Sequence, residues 1–424
     1  MKLHHKRTDY LRSFEGIFLL SILIGGFVYR LYFADLAYKY PVFDMDRYVG
    51  FARDIMRGRL VADCCDKTAG YPMFLAFIFR LFGNANYDAV RIVQVFFDIG
   101  TIVYIVKIAH ELFGKTAGYI SGILYAFNPF TASYTGLLLP EVLTIFLTCG
   151  WVYLATRKQL FTHPMLWLLY GIYIGVLVFV RKQMMIIILL ATAWIMVASF
   201  RKIRRKIAFI LTVVCGFFLV STYSLYGNIL TFHKLSITPP YQPTGQMYIL
   251  FFATKPYSEL VLMGQQFEPI YYAVSEPWHA APLDAREEIN KKYLELFVQK
   301  ATSQFPLFLK LYIRNMFWIW DRDHLFYYAD PWYPGDKTKT RITSWLYIGI
   351  AVYGLAVWLF TNRRGAIAQP LFIVTIVLVV ITTFLFALFS SEVRHSLAAF
   401  GMLSLWGGYG VQRFGLILRK IKIG

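Results

Sequence analysis

The sequence predicts an all-α polytopic membrane protein: a bundle of about ten transmembrane helices (nine to twelve), with two outer-face loops carrying short interfacial helices. Three observations lead there. Of 424 residues, 58% are hydrophobic and 16% are charged, against about 25% charged in a soluble domain. Ten stretches reach the roughly 20 mainly apolar residues that a span needs. Lys and Arg also gather in alternate loops, as short cytoplasmic connections do. A mean hydropathy of +0.52 excludes a disordered chain.

The predicted spans are 14–33, 90–111, 116–135, 137–156, 164–180, 184–200, 207–226, 343–361, 366–389 and 396–412. The first has Glu15 and Arg30 near its ends and no A-x-A cleavage site, so it reads as a retained span. Residues 71–83 are apolar but too short to span, and read as interfacial. With ten spans, Lys2, Lys6, Arg7 and Arg12 share one side with Lys107, Lys115, Arg157, Lys158, the Arg201–Lys206 cluster, Arg363, Arg364 and the basic tail. That parity places both termini in the cytoplasm. The chain then divides into an N-terminal membrane module, 1–226, containing the first outer loop 34–89; a long outer loop, 227–342; and a C-terminal membrane module, 343–424.

The same parity accounts for the charge. The chain has 43 Lys+Arg against 24 Asp+Glu, a formal +19. The excess lies mostly in the cytoplasmic loops and tails, so it reflects topology and implies no nucleic-acid partner. There is no glycine-rich phosphate loop and no H-E-x-x-H. Four cysteines cannot build a disulfide framework, and the adjacent Cys64-Cys65 make no metal site alone. The long outer loop is expected to hold an amphipathic helix near 286–302. Its Phe317-Trp318-Ile319-Trp320 run is consistent with resting on the membrane surface.

Some outer-face residues are not explained by topology. Asp44 and Asp46 precede a short helix expected from Arg47 to Met56, and an extended lead-in would let them converge on one site. They are either helix caps or catalytic carboxylates. Lys67, in Lys67-Thr68-Ala69-Gly70-Tyr71-Pro72, is either a snorkelling lysine at a turn or an anion ligand. Glu141 follows Pro140 near the outer end of a span, where an acid must be paired or line a cavity. Arg181-Lys182 and Arg394-His395 sit outside, against the positive-inside trend. An anionic head group would explain them, and so would salt bridges to Glu141 or Glu392.

In this order the motifs resemble the GT-C fold glycosyltransferases that use polyprenyl-phosphate sugars, the dolichyl-phosphate-mannose–protein mannosyltransferase and aminoarabinose transferase superfamily. The Asp44-x-x-x-Tyr48 segment and Lys67-Thr-Ala-Gly70-Tyr71-Pro72 look like that family's first outer loop. Asn128-Pro129, Pro140-Glu141 and Glu392-Val-Arg394-His395-Ser396-Leu397 continue the pattern. The sequence departs from it at Arg181-Lys182, where Arg-Pro is usual, and at 221–228, where only Asn228 remains of a Pro-Trp-x-x-Arg-Asn element. It also looks like a compact member without a large C-terminal domain.

The resemblance implies an inverting transfer of one sugar from a polyprenyl-phosphate donor to an acceptor hydroxyl on a lipid, glycan or protein. This would occur at the extracytoplasmic face of a plasma or inner membrane, in the cell envelope. Asp44 is the implied general base, with Asp46 in reserve. Lys67, Arg181, Lys182, Arg394 and His395 are the implied phosphate ligands, and Tyr48, Tyr71 and Glu141 support the site. No cofactor is implied beyond the donor, no metal ligands stand out, and the sequence leaves a metal requirement open. The rival readings are a transporter or flippase of a lipid-linked or anionic solute, and a lipid-linked polysaccharide polymerase or ligase. A transporter is disfavoured because the charged outliers lie at the outer surface and not at mid-span.

Overall fold

The computed structural model describes residues 2–37, 39–42, 44–59, 68–237, 248, 251–252, 281–325, 336–362, 368–389 and 393–423. Lys67, Cys64, Cys65, Arg363, Arg364 and Glu392 lie outside them. Every regular element among the described residues is helical. That is the solution lipid imposes, because a helix satisfies its own backbone hydrogen bonds.

The elements are α1 (Lys2–Leu36), α2 (Asp44–Met56), α3 (Gly70–Phe82), α4 (Tyr87–Phe113), α5 (Lys115–Ala126), α6 (Pro129–Ala132), α7 (Glu141–Thr156), α8 (Pro164–Val180), α9 (Met184–Ser199) and α10 (Ile203–Phe232). The segment between α10 and the last membrane helices adds α11 (Leu283–Ser303) and α12 (Phe305–Trp318). The chain ends with α13 (Lys337–Thr361), α14 (Pro370–Val380), α15 (Phe386–Phe389) and α16 (Leu397–Ile423). Among the described residues, five helices are long and apolar enough to cross a membrane: Glu15–Leu36, Tyr87–Phe113, Ile203–Phe232, Lys337–Thr361 and Pro370–Leu388. The shorter apolar helices α7, α8 and α9 pack among them. The protein is an integral membrane helical bundle of the expected kind.

Two predicted spans begin or end differently. The 116–135 stretch is not one helix: α5 stops at Ala126 and Asn128 caps α6, its side chain accepting from the Phe130 and Thr131 amides. Pro129 lacks an N–H and so opens the new helix. The 137–156 stretch becomes helical only at Glu141, after Pro140. The helix expected from Arg47 starts instead at Asp44. The expected 286–302 helix is present as α11. The 317–320 run does not rest wholly on the surface, since Ile319 and Trp320 are buried in the bundle while Phe317 is exposed.

Close helix crossings use small residues. A methyl on Gly171 of α8 would collide with Val213 O of α10, and one on Gly216 with Leu168 O, so this pair packs backbone to backbone. Deep in the apolar region, Arg30 of α1 donates to Asp98 of α4 and, at 2.6 Å, to Ala126 O. Tyr125 donates to the other Asp98 oxygen, and all three side chains are fully buried. A charged pair at that depth persists only when hydrogen-bonded throughout, so it locks α1, α4 and α5 together.

Candidate active site

The first outer segment is pinned to the bundle by apolar periodicity. Met45, Tyr48, Val49 and Ala52 form the buried face of α2, and Tyr71, Leu75, Ile78 and Phe79 that of α3. The Tyr48 and Tyr71 rings meet edge to face at 5.1 Å. Tyr71 OH donates to Gln94 Oε1 at 2.8 Å, and Gln94 Nε2 donates to Thr135 O and Leu137 O. The non-helical 137–140 strip before Glu141 is thereby held in place. Gly70 lies so close to Phe179 O that a methyl would collide with it, and Thr68 Oγ1 donates to Val180 O at 3.1 Å. The loop is thus clamped to the end of α8, one residue before Arg181.

Arg181 has left the helix with an extended backbone, φ −145° and ψ 102°, and its side chain turns inward. Its Nη1 donates to Glu141 Oε1 at 2.7 Å, and its Nη2 lies 3.5 Å from His395 Nδ1. Glu141 is 2% exposed, and its second oxygen, Oε2, has no hydrogen-bond partner among the described residues. His395 and Arg394 come from a single 3-10 turn, Val393–Ser396, that leads into α16. Arg394 Nη1 donates to Asp44 Oδ2 at 2.8 Å. Facing this turn, the chain from α14 to α15 passes through one π-helical turn, Ile381–Leu385. Such a turn displaces the residues after it and is common at functional sites.

Together these elements line a narrow cleft. Glu141, Thr144, Arg181, Gln183, Thr382, Arg394 and His395 supply its polar wall, and Met184, Ile187, Leu378 and Phe386 an apolar one. The two guanidinium groups that reach the cleft are each paired with a carboxylate, Arg181 with Glu141 and Arg394 with Asp44, and each has further N–H donors of the kind that bind phosphate or carboxylate. The Asp44 carboxylate, next to Arg394, can accept a proton or hydrogen bond. Among the described residues, no cluster of three or more His, Cys, Asp and Glu side chains could hold a metal ion.

Of the residues singled out from sequence, Asp44, Glu141, Arg181, Arg394 and His395 come together. Asp46 does not join Asp44. Both lie in the first turn of α2, where residues two apart point to nearly opposite sides, and Asp46 is exposed. Lys182 is half-buried in the turn between α8 and α9, and Tyr48 and Tyr71 buttress α2 and α3 from below. Asn228, the remnant of the expected Pro-Trp-x-x-Arg-Asn element, donates to Ser236 O at 2.7 Å and closes the end of α10. The sequence reading passed over Gln94, Asp98 and Arg322. Asp98 had a usable signal, an acid in the middle of an apolar stretch. Gln94 and Arg322 had none.

Residues 66–226 match the sequence-family model described as dolichyl-phosphate-mannose-protein mannosyltransferase. A comparison with curated protein sequences gives no match. Among solved structures, the chain is similar to the oligosaccharyltransferase of Archaeoglobus fulgidus in its apo form, with 13% identity and a TM-score of 0.55. That alignment covers 96% of this chain and 51% of the other, so the chain spans about half the length of that protein. It is also similar to ArnT of Cupriavidus metallidurans solved with undecaprenyl phosphate, with 14% identity, a TM-score of 0.38, and coverage of 95% and 78%. The chain therefore shares the GT-C-type helical membrane fold of that oligosaccharyltransferase, and its 66–226 segment resembles the dolichyl-phosphate-mannose-protein mannosyltransferase model.

Proposed function

We propose that this protein transfers a monosaccharide from a polyprenyl-phosphate donor to an acceptor hydroxyl at the extracytoplasmic face of the membrane, with inversion at the anomeric carbon. The observation that carries the reading is the meeting of Arg394, Arg181 and Glu141 around one cleft, with Asp44 bonded to Arg394. The motif order and the family match over 66–226 support it.

In this reading the donor phosphate is gripped by Arg181 and Arg394, with Lys182 and Lys67 adding positive charge. Arg394 donates to Asp44 at 2.8 Å, and a phosphate would compete for those donors and free the carboxylate for the acceptor. Asp44 then takes the acceptor hydroxyl proton as the oxygen attacks the anomeric carbon. The bond from that carbon to the phosphate oxygen breaks, and the electron pair leaves on the phosphate, where the arginines neutralise it. A single displacement inverts the centre. The exposed Phe77, Leu81 and Phe82 of α3 offer apolar surface for the prenyl chain. Both termini lie in the cytoplasm, and the acceptor is a lipid, glycan or protein hydroxyl.

The test compares wild type with Asp44→Asn and Asp46→Asn in membranes given a panel of radiolabelled polyprenyl-phosphate sugars. Transfer by wild type and Asp46→Asn, and none by a monodisperse Asp44→Asn, supports the reading. Full activity in Asp44→Asn refutes the proposed base. If wild type consumes no donor, a transport assay for the same lipids is next.

A further inference from the structure

Residues 319–325, between α12 and α13, play no part in the chemistry above, yet they are built with care. They are non-helical, and Ile319, Trp320, Arg322 and Asp323 are buried. A buried irregular segment must have its polar groups met by neighbours. Trp320 Nε1 donates to Thr383 Oγ1 at 2.9 Å, beside cleft-lining Thr382. Ser344 Oγ of α13 donates to Trp320 O at 3.2 Å. Ser396 Oγ donates to Ile319 O at 2.8 Å and accepts from Arg322 Nη2 at 2.7 Å. The hydroxyl has one hydrogen, so giving it to the carbonyl turns its lone pairs toward the guanidinium. Arg322 is 1% exposed and lies over the Phe400 ring, 4.7 Å from its centre.

Packing alone does not call for an arginine there, because a methionine or leucine would fill the space without the cost of burying a cation. What the guanidinium adds is direction. Its partner Ser396 ends the four-residue turn that bears Arg394 and His395. A 3-10 turn this short has few and poor hydrogen bonds of its own, so its orientation is set from outside. We propose that Arg322 is a positioning residue: through Ser396 it aims Arg394 and His395 into the cleft, making anion binding there depend on residues 319–325. This rests on the cleft being the phosphate site.

The experiment uses the full chain in detergent, with Arg322→Met, Arg322→Lys, Ser396→Ala and the double variant Arg322→Met/Ser396→Ala. Undecaprenyl phosphate is the binding probe. Hydrogen exchange of peptides covering 393–400 and the thermal midpoint are measured alongside. Arg322→Met and Ser396→Ala should each weaken probe binding about tenfold, as expected when a gripping group is displaced. The double variant should be no weaker than the worse single variant, because both remove one linkage. Arg322→Lys, which keeps a cation and a donor but not the planar group stacked on Phe400, should fall between Arg322→Met and wild type. Exchange should quicken at 393–400 alone, and Ser396→Ala should melt within a few degrees of wild type. Losses that multiply in the double variant, or unchanged exchange at 393–400, overturn the proposal. If wild type does not bind the probe, the donor reading falls, while the exchange data still decide whether Arg322 and Ser396 hold the turn.

Discussion

Asp44 and Arg394 are 350 positions apart in the chain and meet at 2.8 Å. The contact joins the first turn of α2 to the turn before α16. Both side chains keep some access to solvent, 17% for Asp44 and 13% for Arg394. The pair can therefore open to a ligand without a buried charge being stranded.

For that reason Asp44→Asn should separate activity from stability. Transfer should fall by a factor of about 10² to 10⁴, the usual contribution of a general base. The thermal midpoint should move by a few degrees at most, because asparagine keeps an oxygen that accepts from Arg394. Arg394→Ala should weaken donor binding as well. Equal losses of fold and activity in Asp44→Asn would make it a structural residue only.

Glu141 and Arg181 are a different kind of pair, 2% and 10% exposed and joined at 2.7 Å. Arg181→Met leaves a buried carboxylate with neither oxygen bonded to the arginine and should destabilise by about 3 kcal/mol or more. The double variant Arg181→Met/Glu141→Leu should recover most of that loss in thermal unfolding, since it removes both charges. Neither variant should retain transfer.

Gly70 and Tyr71 test how the first outer segment is held. Gly70→Ala drives a methyl into Phe179 O, a backbone atom that cannot swing away, so α3 should lose its seat on α8 and the protein its monodispersity. Tyr71→Phe removes only the donor to buried Gln94 Oε1 and should destabilise by about 1–3 kcal/mol. Size-exclusion profiles and melting curves distinguish the two. Equal behaviour would contradict this account of the clamp.

Asp323 lies outside the spans. Burial alone raises its carboxyl pKa, but the His324 hydrogen bond and the charges of His324, Arg341 and Lys337 outweigh it and hold the group below the usual carboxylate range. The folded pKa is below the unfolded value of about 3.9, so this stabilisation is complete above about pH 4 and is lost as pH falls through the folded value. Wild type should therefore lose more stability between about pH 5 and pH 3 than Asp323→Asn does. Parallel acid titrations of the melting temperature would show it, and identical curves would remove the inference.

Most of the apolar helices and the helix near 286–302 were legible in the sequence. Each depends on a local quantity: the length of an apolar run or the 3.6-residue period. The pairings were not legible. Arg181 could be read as an anion ligand or as the partner of Glu141, and only packing of α7 against α8 decided for contact. In the sequence Asp44 ranked above Asp46 only through the family resemblance and its spacing to Tyr48. The start of α2 at Asp44 sent one carboxylate to Arg394 and the other to solvent. Arg30 with Asp98, and Arg322 with Ser396, are likewise products of which helix lies against which. Lipid and water select spans and faces residue by residue. A hydrogen bond between residues hundreds of positions apart exists only once the whole bundle has closed.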